Sequence, residues 1–193
     1  MSQSAGFPTL RPAYILKFEV GQGQPVGPTS SGSTFIHYVS HLYVSQHAHF
    51  KLLINSTVMQ SSPGGTITTV EGFSPRINAQ VVVAGDWLYF DPDQQHTRMN
   101  VHGIARTTED EGIRFKYSGV STVSEDLAAI FQGQPKTVAF GQSTMNMTFE
   151  VGSPRIKALE NSNWVGNGRF KLEGDKLWVE VRIAQVVASQ DMD

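Results

Sequence analysis

The chain has 193 residues, 39% hydrophobic and 17% charged, with a formal net charge of -2. That length buries one substantial core and suits a single domain over residues 1–193. The charge argues against nucleic acid or an anionic membrane surface as partners, and the absence of cysteine excludes disulfides, thiolate nucleophiles and Cys-ligated metal sites.

The opening segment MSQSAGFPTLRPAY has no basic stretch followed by an apolar run, so no secretory signal is expected. No segment reaches the roughly 20 apolar residues of a membrane-spanning helix. The expectation is a soluble, cytoplasmic protein with flexible ends over residues 1–12 and 188–193. Strand-like alternation begins at AYILKFEV, where Tyr14, Leu16, Phe18 and Val20 share one face. GQGQPVGPTSSGS follows and reads as a mobile loop at a barrel mouth. TFIHYV and the run from His49 to Val58 read as further strands, with SSPGG (61–65) as punctuation.

TITTVEG, INAQVVVAG, DWLYFDP, TRMNVHGIARTT and GIRFKYSGV come next, each closed by Gly, Pro or acidic turn residues. VSEDLAAIFQG predicts a short helix: Ser124 caps it, Glu125 and Asp126 sit in its first turn, and Gly133 stops it. STMNMTFEVG is a strand, and SPRIKALENSN is a short helix or a loop. NGRFKLEG and DKLWVEVRIAQVV form a closing hairpin about Gly174 and Asp175. Many short strands with one real helix predict an all-β protein, a closed antiparallel barrel or a sandwich.

Two constellations bear on function. In VVVAGDWLYF (81–90) a carboxylate, Asp86, interrupts a greasy strand beside Trp87 and Tyr89. It is either a turn residue next to Gly85 or an acid in an aromatic-lined pocket, where desolvation would raise its pKa. In RMNVHGIART the residues Arg98, Asn100, His102, Ile104 and Arg106 fall on one strand face, with Met99, Val101 and Ala105 on the other. The polar row either faces water or looks into an enclosed cavity.

His47 and His49, with His41 nearby, form a His-x-His pattern that a metal site would need to complete with a third ligand. The short pattern alone does not support a metal. Neither a phosphate loop nor a Gly-x-Ser-x-Gly elbow occurs.

Five segments in order carry a family likeness: VEG (70–72), AGDW (84–87), RTTEDEGIRFKYSG (106–119), FEVGSPR (149–155) and WVGNGR (164–169). The chain resembles domain-of-unknown-function family 3237 over about Ala13 to Val187. That resemblance implies a closed, calycin-like antiparallel β-barrel with one short α-helix. Fungal relatives in aromatic-polyketide pathways imply a cofactor-free cyclase or isomerase. Residues 41–65 look like an insertion beside the compact pattern, and Leu159-Glu160 stands where relatives carry Leu-Asn, which would set an acid at the cavity mouth.

The resulting expectation is a barrel that binds a small hydrophobic or aromatic molecule without metal or cofactor and transfers protons, as in intramolecular hydroalkoxylation. Asp86 would be the acid, Arg106 would orient a substrate oxygen, and Glu71 or His102 would carry a second proton. Trp87, Tyr89, Tyr117 and Trp164 would form the walls, with Glu160 and Asn100 as further contacts. A non-catalytic carrier would use the same pocket, and a homodimer is compatible with exposed barrel edges.

Overall fold

A computed structural model describes residues 5–21, 23–28, 34–39, 65–131, 134 and 136–190, with the backbone alone for 23–28, 34–39 and 131. The histidines His41, His47 and His49, the strand expected from His49 to Val58, the turn residues 61–64 and the helix stop Gly133 lie outside the described residues.

The elements in chain order are β1 (Thr9–Glu19), β2 (Gly23–Pro28), β3 (Thr34–Val39), β4 (Gly65–Thr69), β5 (Asn78–Phe90), β6 (His96–Thr107) and β7 (Gly112–Thr122). Then follow α1 (Glu125–Phe131), β8 (Ser143–Val151), a 3-10 turn (Pro154–Leu159), β9 (Trp164–Glu173) and β10 (Lys176–Val187). Eight strands close a ring in the order β5-β4-β1-β10-β9-β8-β7-β6 and back to β5, all antiparallel. Each of the eight strands thus has two neighbours within the ring. The β2–β3 hairpin adds to the outside of this order through β3, which pairs with residues 85–89 of β5, while β4 pairs with residues 78–81. No described helix is long and apolar enough to cross a membrane.

Period-2 alternation makes the wall. In β8 every second residue from Ser143 through Met145, Met147 and Phe149 to Val151 is buried, and the residues between are exposed. One end of the barrel is filled by rings: Tyr14, Phe73, Phe149 and Trp164 meet edge-on or tilted, with centroids 5.2 to 6.4 Å apart. The Trp164 indole N–H donates to the Leu159 carbonyl at 2.8 Å, so the buried polar edge of the plug is satisfied.

The same end is tied from outside by the Arg-Thr and Gly-Ser-Pro-Arg segments. Thr107 Oγ1 bonds Glu111 Oε2 at 3.0 Å, and Arg155 reaches Glu111 Oε1 at 2.9 Å and the Arg76 carbonyl at 3.0 Å. Ser153 donates to the same Glu111 carboxylate. This clasp joins the β6–β7 turn, the 3-10 turn and the segment after β4. Paired with Arg155 and bonded by Ser153, the Glu111 carboxyl is held down to about 2.

Three expectations need correction. The Gly/Pro-rich stretch after β1 is not wholly loop, because residues 23–28 pair with β3. Gly85 and Asp86 make no turn: β5 runs unbroken through both. The flexible end expected over residues 1–12 does not hold for residues 9–12, since β1 starts at Thr9, opposite Val187. The helix α1 forms where its pattern placed it, with the Ser124 hydroxyl accepting the Leu127 N–H at 3.2 Å.

Candidate functional site

A β-bulge decides what faces the barrel interior on β5. The register with β6 passes from Val81↔Ala105 to Val83↔Ile104, so Val82 is an extra residue. Before the bulge Ala79 and Val81 are buried; after it Ala84, Gly85 and Leu88 are buried, with Asp86 between Ala84 and Leu88 on the same face. One inserted residue moves the inward face from odd to even numbers. Asp86 therefore enters the barrel, and Trp87, 41% exposed, leaves it.

The cavity occupies the end away from the ring plug. β4 bridges β1 and β5 only through residues 14–17 of β1 and 78–81 of β5. Above it, residues 18–21 and 84–88 flank the cavity, with no pairing between those two segments among the described residues. The hollow measures about 690 Å³ counted out to its mouth, and water-sized spheres can centre within about 60 Å³ of it. At roughly 10–15 Å³ per such sphere, the inner part is a compact slot. Apolar side chains dominate its lining: Phe18, Leu88, Met99, Met145, Val179 and Val181.

Among the described residues two carboxylates line this cavity: Glu19, which accepts Lys176 Nζ at 3.0 Å, and Asp86. Asp86 Oδ1 accepts the Asn100 backbone N–H at 2.9 Å, where the ladder passes from Asp86↔Val101 to Tyr89↔Arg98. Burial pushes its carboxyl up to about 7, against the smaller downward pull of that hydrogen bond. Asp86 is half-buried and lines the cavity. Tyr117, two strands away in the same transverse row through Val101, is also buried. Its phenol is driven well above its ordinary value by burial and then by the neighbouring Asp86 charge.

Asp86 and Tyr117 are the residues of the sequence-derived set that line the cavity. Arg106 is 54% exposed on the outer face and bonds Asp110 Oδ1 at 2.8 Å in the β6–β7 turn. Asn100 and His102 share that outer face and bond each other at 3.1 Å. The polar row of β6 is thus its water side; the interior side is Thr97, Met99, Val101 and Gly103, of which Thr97 and Met99 line the cavity. Tyr89 lies on the outward set of β5 with Trp87. Glu71 is exposed just beyond β4, and Trp164 belongs to the ring plug. Glu160 accepts the Val151 N–H at 3.1 Å and Lys157 Nζ at 2.8 Å, a brace at the plugged end and not an acid at the mouth.

Sequence reasoning missed the hydroxyls, one cation and the acid Glu19. Thr97, Ser121 and Ser143 are buried lining residues, and Arg169 lines the cavity while bonded to Glu180 Oε2 at 2.8 Å. The signal was present in the alternation, because Thr97 shares its face with Met99 and Val101; Ser121 and Ser143 sit at strand ends and look like turn residues. The Val-Gly-x-Gly segment also gains a reason. A Cβ at Gly166 would lie 2.8 Å from Met145 Cγ, and one at Gly168 2.9 Å from Met145 Cε, so both glycines make room for that methionine. Asp91, Asp93 and His96 group their ligand atoms within 4.8 Å at the β5–β6 turn, but Asp91 is already bonded by Arg98 at 2.8 Å.

Residues 8–186 match the family described as "Protein of unknown function (DUF3237)". No curated protein matches the sequence. Similar solved structures include a conserved protein of unknown function from Rhodopseudomonas palustris, at 15% identity and TM-score 0.63, covering 93% of this chain and 97% of that one. A beta-barrel like protein from Acinetobacter baumannii AYE is 16% identical with TM-score 0.60, covering 93% and 96%. An enzyme from Penicillium herquei is 11% identical with TM-score 0.54, covering 96% and 99%. At these identities the likeness carries the barrel fold.

Proposed function

We propose that this chain, which belongs to the DUF3237 family, is an acid–base enzyme that isomerises or ring-closes a compact aromatic or polyketide-derived molecule in the Asp86 cavity. The observation that supports this reading is a carboxylic acid raised to about 7 in a slot lined mainly by apolar side chains. A group poised at that value both gives and takes a proton near neutrality. Such chemistry is redox-neutral and calls for no cofactor.

For intramolecular hydroalkoxylation one acid suffices. Protonated Asp86 gives its proton to one alkene carbon, and the substrate hydroxyl oxygen forms a C–O bond to the other. The hydroxyl proton returns to the carboxylate. The π bond and the O–H bond break, and a C–H and a C–O bond form. Tyr117 stands beside the acid as a neutral phenol, a donor that can orient a substrate oxygen. General acid–base help of this kind is worth about 10²–10⁴-fold, and confinement of the reacting conformer supplies the rest.

The test is incubation of ortho-alkenyl phenols in D₂O with the protein. Ring-closed isomer carrying deuterium on carbon, formed by the native chain and not by Asp86→Asn, supports the reading. Phenols that bind and return unlabelled with both proteins would make the chain a carrier.

A further inference from the structure

Thr97 is 1% exposed, lines the cavity, and among the described residues its Oγ1 has no hydrogen-bond partner. It is the outer member of a transverse row of hydroxyls. Thr97 stands opposite Ser121, and Ser121 opposite Ser143, on adjacent strands. The two serines satisfy each other, Oγ to Oγ at 2.6 Å, which leaves Thr97 as the member with unspent capacity. An isolated buried hydroxyl is costly, and valine has the same shape without that cost. A hydroxyl kept here has a use when something fills the slot.

The position of that hydroxyl relative to Asp86 sets a length. The Asp86 carboxyl leans to the N–H of Asn100, three residues along β6 from Thr97. At about 3.4 Å per residue the two polar points stand about 10 Å apart. Hydrogen bonds of about 2.8 Å at each end leave about 4 Å between the oxygens of a bridging ligand when they lie in line, and up to about 8 Å when they are strongly bent from it. The strand rows between the two points carry Met99 and Met145, with Leu88 also lining the cavity, and these side chains offer apolar contact.

We infer that the cavity selects an aromatic molecule of one or two fused rings bearing oxygen functions at opposite ends, one held by Thr97 and the other by Asp86. This rests on the reading of the same cavity given above and names its substrate class. The apolar middle excludes a sugar, and the short span excludes a long acyl chain held at both ends.

The probe is 2,6-dihydroxynaphthalene, titrated by its own fluorescence against 2-naphthol, which carries one oxygen, on the native chain, Thr97→Val and Thr97→Ser. The native chain binds the diol about tenfold more tightly than the mono-ol, a difference of about 1.4 kcal/mol. Thr97→Val erases that preference, and Thr97→Ser, which restores a hydroxyl, keeps most of it. A native chain that binds the two alike, or binds neither, overturns the inference, as does a preference that survives in Thr97→Val. Turnover is a separate readout. Loss of turnover in Asp86→Asn alongside an unaltered preference in Thr97→Val sinks the inference and leaves the proposed function standing, and the opposite pair of results does the reverse.

Discussion

Asp86 and Asn100 are joined through a backbone N–H that would otherwise serve the sheet: it donates to Asp86 Oδ1 at 2.9 Å where the β5–β6 ladder skips from one pair to the next. The bond fixes the carboxyl at one edge of the slot while favouring its charged form. Burial opposes it and wins, with the pKa at about 7. If the protonated acid starts the reaction, kcat falls as pH rises through about 7. A rate–pH profile with its descending limb there, and a loss of at least about 10²-fold in Asp86→Asn at pH 6, are the expected results. A profile flat from pH 5 to 9 would remove Asp86 from the chemistry.

The same group shapes stability. Its carboxyl titrates at about 7 in the folded chain against 3.8 ordinarily, so between those values the folded state holds a proton that the unfolded state has lost. Stability therefore falls as pH rises through that window. Asp86→Asn removes the dependence, and its melting temperature exceeds that of the native chain at pH 8 but not at pH 4. Melting curves of both proteins across pH 4–8 read this directly.

Glu111 acts in the opposite sense. Its carboxyl is lowered from 4.5 to about 2 by Arg155 and Ser153, so its contribution is complete above about pH 4.5 and is lost as pH falls toward 2. Glu111→Gln flattens the acid limb of the melting curve and loosens the clasp between the β6–β7 turn and the 3-10 turn. Ligand binding in the distant cavity is unchanged. An acid limb identical to that of the native chain would show that the clasp adds nothing to stability.

What the sequence displayed was periodicity, and periodicity gives strands without telling which face is inside. In VVVAGDWLYF any of three valines could be the extra residue, and nothing in the string marks Val82. That single insertion put Asp86 in the slot and turned out the rings expected beside it, Trp87 and Tyr89. On β6 the row Arg98, Asn100, His102 and Arg106 is simply what water prefers, while the interior face carries Thr97 and Gly103, small residues whose meaning depends on neighbours far away in sequence. Glu160 shows the same limit, because an acid near a family motif looks functional until its partners, the Val151 N–H and Lys157, are known.

The glycines separate the packed end of the barrel from the hollow one. At Gly103 a Cβ would stand 2.1 Å from Phe115 Cζ, a ring packed across β6 that has no room to retreat. At Gly168 a Cβ would meet the far end of Met145 at 2.9 Å, a flexible side chain bordering empty space. Gly103→Ala is therefore expected to cost about 1–3 kcal/mol of stability through overpacking. Gly168→Ala keeps its melting temperature within a few degrees, because Met145 swings toward the slot, and weakens binding of 2,6-dihydroxynaphthalene by narrowing it. Paired measurements of melting and affinity on the two variants test the division. Equal destabilisation by both would mean that the cavity wall around Met145 is as tightly packed as the plugged end.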